Sequence, residues 1–141
     1  MLRLTLFALL LSGCGPTPAA QVREDAAEEF QCEGDHIDIR RRNDDTWIAM
    51  GCQRQGVFQC NTSRGEIRCI NLAGLARDRA GREWGCNTDD ILLDEVSPYV
   101  FRVMGCGQES TFHCVVEHGR ARCIRDTTRP PEPDPDEGGG E

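Results

Sequence analysis

The residues best equipped for chemistry in this 141-residue chain are its nine cysteines. Eight fall into two sets of four, Cys32, Cys52, Cys60, Cys69 and Cys86, Cys106, Cys114, Cys123, and each member of the second set lies 54 residues after its counterpart. Thiols can bind a metal, attack a substrate or pair with each other. Zinc sites usually place two cysteines about two to four residues apart. Here the separations within a set are 20, 8 and 9, with no Cys-x-x-Cys and no clustered histidine. A catalytic thiol needs an unpaired cysteine beside a base, and an even set of eight leaves none. Disulfides are the expected chemistry, with no metal and no cofactor.

The ninth, Cys14, closes Leu11-Ser12-Gly13-Cys14 directly after the apolar stretch Leu4 to Leu11, with Arg3 before it. That stretch is too short for a permanent membrane helix and reads as a removed export signal. The expectation is a lipoprotein signal peptide over 1–13, acylation (palmitate-type) of Cys14 and a lipidated tether over 14–21. Export would place the other eight cysteines in an oxidising compartment, where small domains rely on disulfides.

Other side chains offer less. His36, His113 and His118 have no counterpart in the other repeat and read as surface or turn residues. Asp35 and Asp89 each follow a cysteine by three positions and are expected to accept backbone N–H groups in a turn. Phe58 and Phe112 are expected to pack over a disulfide, and Trp47 and Phe101 are matched aromatics that could line a groove between repeats. Removing the signal leaves 15 Arg against 24 acidic residues, a net charge of −9, which argues against nucleic-acid binding. Arg40, Arg41 and Arg42 form the one basic run, expected to be a solvated strand end rather than an anion site, and align with Asp94, Glu95 and Val96. This opposition of charge would help the repeats dock by at most about 1 kcal/mol if exposed.

The elements that must position these residues follow from the duplication. Without gaps, residues 32–70 match 86–124 at 12 of 39 positions, and such self-similarity outranks length as an organising signal. Helix-prone segments, Val22 to Phe30 and Leu72 to Trp84, precede each first cysteine. Alternation at Ile37 and Ile39, answered by Ile91 and Leu93, predicts a strand, followed by a turn at Asn43 to Asp45 or Ser97-Pro98. Further strands are expected at Trp47 to Cys52, Val57 to Cys60 and Glu66 to Ile70, and at Phe101 to Cys106, Thr111 to Cys114 and Arg120 to Ile124. The fold class is therefore α+β, with two tandem disulfide-stapled modules over 22–70 and 71–125. Each is a short helix followed by an antiparallel meander of three to four strands. Residues 126–141 form an acidic tail, whose Pro-, Asp- and Gly-rich part from Arg129 has no apolar side chain to offset the entropy of ordering.

A two-residue turn at Arg64-Gly65 or His118-Gly119 needs positive φ, which glycine supplies cheaply. Counting outward from it, Cys60 faces Cys69 in a non-hydrogen-bonded pair, the closer of the two antiparallel pair types. This favours Cys60 with Cys69, Cys114 with Cys123, Cys32 with Cys52, and Cys86 with Cys106. The rival pairs Cys52 with Cys60 and Cys32 with Cys69.

The stretch Phe101-Arg102-Val103-Met104-Gly105-Cys106-Gly107-Gln108-Glu109-Ser110-Thr111-Phe112-His113-Cys114, closing with Arg122-Cys123-Ile124-Arg125, resembles a signature of small exported lipoproteins abundant in myxobacteria. The likeness covers residues 22–125, and the first module departs from it with Gln53 in place of the glycine after the second cysteine. The resemblance implies an exported location and this fold type, and transfers no active site. Gly15 after the lipidated cysteine, by likeness to enterobacterial sorting, implies the outer membrane.

The function expected is that of a membrane-anchored envelope lipoprotein with a non-enzymatic binding or structural role. Its partners would be the membrane, through the N-terminal lipid, and an envelope protein or ligand that the sequence does not identify. The alternative is a disulfide-rich hydrolase inhibitor acting through a loop at Gln53 to Gly56 or Gly107 to Ser110.

Overall fold

The computed structural model describes residues 15–127. Cys14, the expected signal segment 1–13 and the acidic tail from residue 128 onward lie outside the described residues. The chain is α+β, with two helices, two four-stranded antiparallel sheets and four disulfides.

Helix α1 spans Pro18–Phe30 and so begins inside the stretch read as a tether. Two local features outweigh that reading. The Thr17 side chain accepts the Ala20 N–H at 3.2 Å, and Pro18 opens the helix where its missing N–H has no intrahelical partner to lose. Val22, Ala26 and Phe30, four residues apart, form the buried stripe. Gln31 ends the helix in the left-handed conformation at φ 53°.

After a 3₁₀ turn at Gly34–His36 come β1 (Asp38–Arg41), β2 (Thr46–Gly51), β3 (Arg54–Ser63) and β4 (Glu66–Asn71), paired in chain order. Helix α2, Leu72–Trp84, follows β4 without a loop. The pattern then repeats: a 3₁₀ turn at Thr88–Asp90, β5 (Leu92–Ser97), β6 (Val100–Gly105), β7 (Gln108–Glu117) and β8 (Arg120–Arg125).

The third strand of each sheet is longer than its sequence suggested, because the turn before it is tighter. Gly51 pairs with Arg54 and Gly105 with Gln108. Only two residues remain for each reversal, Cys52-Gln53 at φ 48° and 62°, and Cys106-Gly107 at φ 50° and 74°. This is the geometry of a mirror-image two-residue turn. A glycine at the second position adopts it freely, whereas Gln53 does so with strain.

The sulfurs join Cys32 to Cys52, Cys60 to Cys69, Cys86 to Cys106 and Cys114 to Cys123. Cys60 lies opposite Cys69 and Cys114 opposite Cys123 in the strand register, at Cα separations of 4.0 Å. The sequence separations of 20 and 9 correspond, by chain-entropy arithmetic, to about 3.3 and about 2.6 kcal/mol of stabilisation.

The two halves are not self-contained. One apolar cluster joins α1 to the first sheet through Val22, Ala26, Phe30, Ala49, Phe58 and Cys60. The other gathers Leu72, Ala76, Phe101, Val103, Phe112 and Cys114 around α2, and it also takes in Val57 from β3. Strand alternation explains this, since Phe58 points toward α1 and its neighbour Val57 toward the opposite face. Helix α2 buries Leu72, Ala73, Gly74, Ala76, Ala80 and Gly81, twice as many residues as α1 buries. It is covered from more than one side.

Candidate functional site

The junction between the halves brings together side chains far apart in sequence. The turn after β1 and the start of β2 supply Arg42, Asn43 and Thr46, while β5 supplies Glu95 and the turn before β6 supplies Tyr99. Arg42 donates two hydrogen bonds to the Glu95 carboxylate, at 2.6 and 2.5 Å. Glu95 also accepts the Tyr99 backbone N–H at 3.1 Å. The Tyr99 hydroxyl receives a bond from Asn43 Nδ2 at 2.9 Å and lies 3.0 Å from Thr46 Oγ1. Thr46 is the fully buried polar residue of the core. The carboxylate holds the Arg42 guanidinium above its ordinary range, an effect larger than the opposing effect of burial.

The basic run is thus split by geometry. Arg40 pairs with Asp38 and Arg41 with Asp44, both exposed, while Arg41 also lies over the Trp47 ring at 5.8 Å. Only Arg42 crosses to the other half. The contact between opposed charges falls on this one pair, which is mostly out of water, so that removing either partner alone would strand a desolvated charge.

Beside the junction is a groove of about 580 Å³. Its apolar lining comes from Val57, Ala73, Leu93, Val96 and Phe101, and its polar lining from Gln55, Asp94, Glu95 and Arg102. Of the two aromatics expected there, Phe101 is present. Trp47 instead packs against the α1 cluster, because its side of β2 faces α1. The Nε of Arg102 is buried without a hydrogen-bond partner among the described residues. With Glu95 already engaged, the groove combines an apolar floor with the unpartnered Arg102 Nε.

The two aspartates differ from expectation. The N–H of Asp89 is accepted by the Asn87 side chain at 3.2 Å, because Asn87 occupies the capping position of the 3₁₀ turn. The Asp89 carboxylate reaches Arg54 of the first half at 3.4 Å. Asp35 sits on an exposed turn whose carboxylate and imidazole atoms, from Glu33, Asp35 and His36, lie within 4.8 Å of one another. His36, His113 and His118 are all exposed. Phe58 and Phe112 are buried in the same clusters as Cys60 and Cys114, respectively.

The segments named for the inhibitor alternative form two-residue turns and the strand starts that follow them. Arg54 to Gly56 lie in β3 and Gln108 to Ser110 in β7, so the chain reverses without a projecting segment.

Tyr99 and Asn71, which act as connectors, carry no direct signal in the sequence. Asn71 accepts the Val57 N–H at 3.2 Å and donates to Glu29 at 2.8 Å. Crowding around Glu29 pushes its carboxyl above the ordinary range by desolvation, against the lowering effects of the Asn71 hydrogen bond and of Arg77. No protein-family model, no curated protein and no solved structure matches this chain, so the junction and groove are read from their own residues.

Proposed function

We propose that this chain is an exported lipoprotein of the bacterial cell envelope. Lipid on Cys14 would hold it to the membrane, in the outer membrane on the Gly15 criterion. Its two disulfide-stapled repeats would present a binding or structural surface without catalysis. One observation carries the reading: the disulfides consume eight of the nine cysteines, leaving Cys14, beside its apolar stretch, as the remaining thiol. Disulfides persist in exported proteins and are rare in the cytosol, so the pairing and the signal-like N-terminus support the same compartment. No helix among the described residues is long and apolar enough to cross a membrane, and the proposed anchor is the lipid. Two or three acyl chains hold stably where a single one binds reversibly.

Metabolic labelling with a fatty acid tests this. The chain should incorporate label and sediment with membranes, and Cys14→Ser should abolish labelling and release the protein. Unchanged membrane association of the Cys14→Ser chain would overturn the reading.

A further inference from the structure

Two of the four bridges share one backbone geometry. Cys60 lies opposite Cys69 and Cys114 opposite Cys123, each pair 9 residues apart in sequence and 4.0 Å apart at Cα. The Cys60 and Cys114 N–H groups point away from these partners, to the carbonyls of Asp45 and Tyr99. A disulfide usually joins Cα atoms about 4.4–6.8 Å apart, and bridges held outside that range are more easily reduced. The other two bridges, at 6.0 and 6.1 Å, lie within it.

What separates the two cross-strand bridges is their cover. Cys114 and Cys123 are 1% and 6% exposed. Leu72 of α2 is fully buried in their cluster, its carbonyl oxygen 3.9 Å from Cys123 Sγ, and Leu75 packs against the same cluster. At the equivalent positions, 54 residues earlier, α1 has Pro18 and Gln21. Gln21 turns to the Asp25 carboxylate, donating at 2.8 Å. These two polar side chains line an open cavity of about 1380 Å³ whose wall includes both Cys60 and Cys69. Cys60 is 9% exposed, and Cys69 is the more open of the pair.

We propose that Cys60–Cys69 is a thiol–disulfide exchange site, opened by a dithiol reductant that enters this cavity, while Cys114–Cys123 stays closed as its structural twin. Strained or exposed disulfides are the labile ones, and Cys60–Cys69 combines the short cross-strand span with access. A thiolate of the dithiol attacks Cys69 Sγ, forming a mixed disulfide as the Cys60–Cys69 bond breaks. Cys60 leaves as a thiolate and takes up a proton. The second thiolate of the dithiol then displaces Cys69, which is protonated in turn. The chain has gained two electrons and two protons, and the dithiol departs as a disulfide. The bond ties β3 to β4, and β4 runs without a loop into α2, so opening it frees the strand that sets where that helix begins.

The test is an equilibrium titration of the oxidised chain carrying Cys14→Ser in mixtures of reduced and oxidised dithiothreitol. Free thiols are alkylated after acid quenching and located by peptide mass spectrometry. Cys60 and Cys69 should be half-reduced at a ratio of reduced to oxidised reagent at least tenfold lower than any of the other three pairs requires. Gln21→Leu, which supplies the cover that Leu75 gives the other repeat, should narrow that gap severalfold. The double variant Cys60→Ala with Cys69→Ala should keep the near-UV circular dichroism of the parent, since the opened chain remains folded. With glutathione in place of dithiothreitol, the trapped mixed disulfide should sit on Cys69. Reduction of all four bridges in one step would overturn the proposal, as would Cys114 and Cys123 opening at the same ratio. Loss of the near-UV signal in the double variant, or an adduct on Cys60 instead of Cys69, would also count against it.

Discussion

Replacing Arg42 with Met and Glu95 with Gln, singly and together, measures how strongly the two halves are coupled. Glu95 is 11% exposed and Arg42 24%, and they share two short hydrogen bonds. Exposed pairs contribute up to about 1 kcal/mol, while removing one partner of a fully buried pair costs about 3–5 kcal/mol. This pair lies between those limits. Each single change should cost about 2.5 kcal/mol, because it strands a desolvated charge. The double change should cost no more than either single one, about 2 kcal/mol, since it strands none, giving a coupling near 3 kcal/mol. Glu95→Gln keeps an oxygen for the Tyr99 N–H, so the cycle isolates the charge pair from that backbone bond. Urea unfolding reads the cost, and at a slope of about 1–2 kcal/mol/M each single variant should lower the midpoint by about 1–2 M. Because the second apolar cluster spans both halves, the transition should remain single. A coupling below about 0.5 kcal/mol, or one erased by about 1 M salt, would show the pair to be solvated and refute the reasoning.

The strained turn offers a paired test: Gln53→Gly should stabilise the fold and Gly107→Gln destabilise it, each by about 0.5–1 kcal/mol, because both positions sit at positive φ. Calorimetry showing the same sign for both changes would remove turn strain as the cause. Glu29→Gln bears on pH dependence. The folded-state value of Glu29 is raised by desolvation, so its stabilising contribution is complete below the unfolded glutamate value of about 4.3 and is lost as pH rises through the higher folded value. The variant should gain stability relative to the parent over that rise, and a pH-independent difference between their melting temperatures would contradict it.

Much of the architecture was legible because it is encoded locally. Two-residue turns demand positive φ, and counting from Arg64-Gly65 places Cys60 opposite Cys69 whatever the rest of the chain does. What misled was also local. Pro16-Thr17-Pro18 reads as a tether until Thr17 is seen to cap a helix, and Gln53 conceals a turn that Gly107 advertises.

The junction was less accessible. Opposed charges marked Arg40 to Arg42 and Asp94 to Val96, but nothing in the spacing singles out Arg42 and Glu95, or recruits Tyr99, Thr46 and Asn71. Those choices depend on how two sheets and a helix come to rest on one another.

By itself, then, the sequence determined the repeat, the register of the last hairpin in each repeat and the pairing chemistry of the eight matched cysteines, since periodicity and turn stereochemistry act over a few residues. Tertiary structure alone decided that Val57 crosses into the second core and that one arginine of three bridges the halves. Those outcomes depend on which surfaces meet, and a burial choice of that kind is made by the whole fold rather than by any local run of residues.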